Sequence, residues 1–65
     1  MTVFGLMCLF DNWNKNLVVN DENLEPILNG KTVLKVFEER EKYKSILNKE
    51  VMAFGVYDDD ICVRV

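Results

Sequence analysis

Two stretches of the chain are uncharged, MTVFGLMCLF at residues 1–10 and VMAFGVY at 51–57, and shorter apolar groups lie between them. Val3 to Phe10 are too few for a buried helix and rich in β-formers, which predicts a strand. Residues 11–16, DNWNKN, have turn composition, and Leu17 to Val19 return as a second strand to give a hairpin. The polar segment 20–31 has Asn20 or Asp21 as a cap for a short helical turn, whose length Pro26 limits. Asn29-Gly30 between apolar residues is a hairpin signal. The element at 32–37 stays open. TVLKVF is β-rich, yet Val33, Val36, Phe37, Arg40, Tyr43 and Leu47 also fit one helical face. A strand at 32–37 followed by a helix at 38–48 is favoured, with Tyr43, Ile46 and Leu47 turned inward. Residues 51–57 predict a further strand and Asp58 to Asp60 a turn. ICVRV closes as a strand with Ile61, Val63 and Val65 on one face and Cys62 and Arg64 on the other. The expected fold is a single α+β domain: a four- or five-stranded, mainly antiparallel sheet with one main helix on one face.

The two uncharged strands have more apolar sides than one helix can shelter. Alternation puts Phe4, Leu6, Cys8 and Phe10 on one face of the first, and Met52, Phe54 and Val56 on one face of the other. These bulky sets are assigned to the core. The opposite sets are also apolar, and strands apolar on both sides normally have both sides buried. Val3, Met7, Leu9, Val51 and Tyr57 would then form a patch on the order of a few hundred Å², where contact surfaces begin to be suspected. Gly5 and Gly55 would let another group approach closely. Either segment 20–31 folds over this second face, or another molecule covers it.

Composition narrows the chemistry. At 65 residues the chain makes one domain of marginal stability, and 49% apolar with 29% charged residues is globular. Cys8 and Cys62, both in expected strands, are read as buried thiols rather than a disulfide. Without histidine or a CxxC pair, no metal site and no cofactor are expected. A net charge of −3 and a pI near 4.7 argue against direct nucleic-acid binding. The opening run lacks a basic start and a cleavage site, and is far short of the roughly 20 apolar residues that span a bilayer. The expectation is a soluble cytoplasmic chain without a membrane partner. Ser45 is the one serine, and no nucleophile–base set exists, so no enzyme is expected. DDD at 58–60 reads as a solvated hairpin tip rather than a Ca²⁺ or Mg²⁺ site. NGKT at 29–32 lacks the first glycine of a phosphate loop.

What remains is binding. Trp13, in a polar turn, either folds back onto the core or anchors an interface. Acidic groups at 21–25, 38–41 and 58–60 can face a basic partner, although Lys42, Lys44 and Lys49 interrupt them. The expected partner contacts are Trp13, Tyr57, Asp58, Asp59 and Asp60, with Met7, Leu9 and Val51 from the apolar patch.

The tail VMAFGVYDDDICVRV, with its V-x-A-F start, paired aspartates and final C-x-V, resembles small early proteins of T-even-type phages. It looks most like the discriminator of mRNA degradation antitoxins, which inhibit host RNase toxins. The resemblance covers residues 51–65. It implies a phage-encoded inhibitor that docks on a basic enzyme groove in the host cytoplasm, blocking a nuclease or toxin sterically. Self-association as an obligate homodimer, and an acidic nucleic-acid mimic, are the alternatives.

Overall fold

The computed structural model describes residues 1–65. The elements run α1 (Val3–Met7), β1 (Asn16–Asn20), β2 (Pro26–Thr32), α2 (Val33–Glu38), α3 (Lys44–Leu47), β3 (Ala53–Val56) and β4 (Asp60–Arg64). The four strands form one sheet in the order β2-β1-β4-β3. β1 and β2 are antiparallel, β3 and β4 are antiparallel, and the central β1–β4 pair is parallel. The α+β class holds. The sheet is mixed rather than mainly antiparallel, and three short helices replace the single main helix.

The first correction lies at Val3–Met7, a helix inside the stretch 3–10 where a strand was expected. Val3, Leu6 and Met7 recur at the i, i+3, i+4 spacing of a helical face, and all three are buried. Thr2 caps the helix, its Oγ1 accepting from the Gly5 N–H at 3.1 Å. Residues 1–3 pair with 49–51 on entry: the Val3 N–H donates to the Lys49 carbonyl, and the Val51 N–H to that of Met1.

The second concerns segment 20–31. It neither forms a helical turn nor crosses the sheet; it turns back and becomes the edge strand β2. The reversal is made by Asp21, whose Oδ1 accepts from the N–H groups of Asn23 and Glu25. Asn29-Gly30 is no hairpin tip. Between the Leu17–Lys31 and Val19–Leu28 pairs, these two residues face Val18 alone, so they form a bulge. Gly30 takes φ of 78°, a conformation a side chain would strain.

The third resolves 32–37. β2 ends at Thr32, whose Oγ1 accepts from the Lys35 N–H at 3.1 Å and starts α2. The expected helix at 38–48 survives only as the four residues of α3. An unbroken helix from 33 to 48 would run about 24 Å at 1.5 Å per residue, nearly the 27 Å length of the whole molecule. The turns at residues 39–43 instead let Leu47 return to the core beside α1.

Leu17, Val19, Leu28, Ile61 and Val63 line one face of the sheet. Val3, Leu6, Met7, Val33, Val36 and Leu47 close over them from the helices. Ile61 and Val63 hold the face expected of them. No β3 residue belongs to this core. Leu6→Ala should cost about 2–5 kcal/mol, comparable to the whole stability of a chain this small. Chemical denaturation should therefore find it largely unfolded, whereas Thr32→Ala should lose only about 1 kcal/mol.

Candidate functional site

β3 is Ala-Phe-Gly-Val, four uncharged residues at the edge of the sheet. Phe54 pairs with Val63 and Val56 with Ile61, so their side chains point to the face the helices cover. The helices stop short of them. Phe54 is 54% and Val56 48% exposed, although Val63 and Ile61 beside them are buried. Met52, also assigned to the core from the sequence, is exposed as well. Phe10 meets the Phe54 ring edge-on, with centroids 6.5 Å apart, and Leu9 is 67% exposed.

The opposite face of the sheet has no covering element. Val18, Cys62 and Gly55 lie across its middle in register, flanked by Asn16, Asn20, Ala53, Asp60 and Arg64. Tyr57 lies against Gly55: a Cβ on that glycine would approach the tyrosine hydroxyl to 3.2 Å. The rest of the tyrosine faces solvent. β3 is therefore open on both faces and along its edge.

The two edges of the sheet differ. β2 carries Pro26, two register shifts and Lys31, devices that discourage a further strand from pairing. β3 has none of them, and its register with β4 is continuous.

At the end of β3 the chain turns through Asp58 to Asp60. Lys15 fastens the turn: its Nζ donates to the carbonyls of Tyr57 at 2.8 Å and Asp58 at 2.7 Å. The Asn16 amide donates to Asp60 Oδ1 at 3.1 Å. Asp58 and Asp59 are exposed and form no ion pair. No group of three acidic, histidine or cysteine side chains converges in a way that could hold a metal ion. Cys8 is exposed, not buried, and both thiols are free.

The expected contact residues divide into two sets. Tyr57, Asp58, Asp59 and Asp60 cluster at one end of β3. Leu9 follows α1, on the chain segment that reaches Phe54 through Phe10. Met7 is enclosed at 1% exposure and offers no surface, because its helix turns it inward. Val51 is half-buried beside the amino-terminal segment. Trp13 folds back. Its Nε1 donates to the Met7 carbonyl at 3.1 Å, and its ring lies 4.9 Å from that of Phe37. Phe37 in turn stacks with Phe4 and carries the Arg40 guanidinium over its face. The sequence reading missed Phe54 and Val56. Their signal was present: four consecutive uncharged residues with no polar alternation to mark an outer face.

Comparison with protein-family models, curated proteins and solved structures finds no match.

Phe54 contributes little to folding in this position. Phe54→Ser should change stability by no more than about 1 kcal/mol in denaturant titration, as expected of a largely exposed side chain outside the core.

Proposed function

We propose that the chain is a small acidic protein-binding module that uses β3 and its flanks to block a partner sterically. The observation that carries this reading is β3 itself. Phe54, Val56 and Tyr57 stay largely in water on a strand that the core does not need, next to the exposed carboxylates of Asp58 and Asp59. An apolar centre with a charged rim is the common anatomy of a protein contact. The apolar groups supply contact area, and the acids steer the approach of a basic surface and fix its orientation.

The partner this arrangement fits is a protein with a basic groove. Together with the resemblance of residues 51–65 to small early proteins of T-even-type phages, it favours a phage-encoded, antitoxin-like inhibitor of a host nuclease or toxin, working in the host cytoplasm. The chain's part in that inhibition is occlusion rather than catalysis. Ser45 is exposed and has no histidine to activate it.

Immobilised protein should capture such an enzyme from host extract, and stoichiometric addition should suppress the enzyme's cleavage of RNA. Phe54→Glu should weaken capture at least about tenfold by placing a charge in the contact centre. Joint Asp58→Asn and Asp59→Asn substitution should slow association and reduce its dependence on salt. Undiminished capture and inhibition by both variants would contradict the reading.

A further inference from the structure

We infer that the open edge of β3 pairs with β3 of a second copy of the chain, antiparallel across a two-fold axis at Gly55. This rests on the reading of β3 as a contact surface and names one molecule that surface fits.

The backbone provides the register. The Tyr57 N–H donates to the Asp60 carbonyl at 2.8 Å, which makes these two a hydrogen-bonded pair. Antiparallel pairs alternate, so Val56–Ile61 and Phe54–Val63 are the non-hydrogen-bonded pairs. The main-chain N–H and C=O groups of Phe54 and Val56 therefore point away from β4, along the open edge. With Gly55 on the two-fold, Phe54 of one copy lies opposite Val56 of the other, and both residues exchange their free main-chain groups. The edge is complementary to itself.

The side chains agree with that register. On the helix-covered side, Phe54 meets Val56 of the second copy, an aromatic with a β-branched residue, which is a favourable cross-strand pair. On the open side, Ala53 faces Tyr57 of the second copy. The Tyr57 ring already lies against Gly55, where no side chain competes for the space. The apolar groups left in water at β3 are thus the ones the pairing covers.

Charge complementarity favours a second copy over an unrelated strand. At the Tyr57 end of β3 stand Asp58 and Asp59. At the other end Glu50 is already paired with the amino terminus, and Asp21 and Glu22 line the same cleft as Lys49. Two cations stand there: Arg64, paired with Ala53, and Lys49, on the chain leading into the strand. Asp58, Asp59, Lys49 and Arg64 are exposed, and none of them forms an ion pair within the chain. An antiparallel two-fold brings the acidic end of each copy to the basic end of the other, twice. Four residues a side make a small interface, in the class of weak, reversible association.

Sedimentation velocity from micromolar to millimolar protein, with amide hydrogen exchange followed by NMR over the same range, tests this. The expected result is a monomer–dimer equilibrium in which exchange at the Phe54 and Val56 amides slows roughly tenfold or more as dimer forms. Val56→Pro removes a donor that faces outward, so it should leave the circular dichroism spectrum unchanged and the chain monomeric. A charge swap supplies a second route. A chain with Asp58→Lys and Asp59→Lys, and another with Lys49→Glu and Arg64→Glu, should each be monomeric alone and pair when mixed. Monomer at every concentration overturns the inference, as does a dimer whose Phe54 and Val56 amides exchange at the monomer rate. Either outcome leaves the capture experiment free to succeed, because that reads a different partner. Capture that fails while the dimer forms overturns the inhibitor reading alone.

Discussion

Four side chains on two parallel strands form the floor of this protein: Leu17 and Val19 from β1, Ile61 and Val63 from β4, each at most 1% exposed. These strands lie near opposite ends of the sequence, with 44 residues separating Asn16 from Asp60. Their pairing closes about two thirds of the chain into one loop, and such non-local contact is costly in entropy until the core forms. Everything else is arranged to roof that floor. α1 is tied to the turn before β1 by the Trp13–Met7 hydrogen bond, and α2 follows β2 directly through the Thr32 cap.

The roof has a limited reach. Helices of five, six and four residues are only about 6–9 Å long, and strands lie about 4.8 Å apart. The helices bury the inner face of β1 and β4 with Leu28 of β2, and leave β3 beyond them. β3 is held by backbone pairing with β4 rather than by burial of its own side chains. A strand in that position is where apolar residues cost folding least and remain free for contact. The bulges, proline and lysine of β2 show that the opposite edge is protected, so the bare edge at β3 is particular to that strand.

The sequence was legible where apolar and polar positions alternated. In β4 the faces of Ile61, Val63 and Val65 follow from period two, and Leu17 to Val19 identify β1. Legibility failed where every residue was apolar. Val3, Leu6 and Met7 carry a helical spacing, but with Phe4, Gly5, Cys8 and Leu9 equally uncharged no period stands out, and Thr2 as a cap was the remaining signal. Residues 38–48 failed for the opposite reason. Their helix propensity is high, but Glu38, Arg40, Glu41 and Lys42 have little to bury, so compaction of the chain outweighed local preference. Asn29-Gly30 is a sound turn signal spent on a bulge, because the Asp21 turn had already reversed the chain. Around β3, Tyr57, Leu9, Asp58 and Asp59 were named from the sequence as candidate contacts, and all four are exposed. Phe54 and Val56 were hidden by the assumption that bulky residues on a strand belong to the core.

A binding role for β3 requires that the strand stand outside the core of the isolated chain. Hydroxyl-radical footprinting of dilute protein, with modification read residue by residue, tests this most directly. Phe54, Tyr57 and Met52 should be modified at rates near those of the same residues in unfolded chain, with Met7 far slower and Trp13 between. Phe54 and Met52 as protected as Met7 in dilute monomer would mean that the chain roofs its fourth strand unaided, and the contact surface described above would not exist.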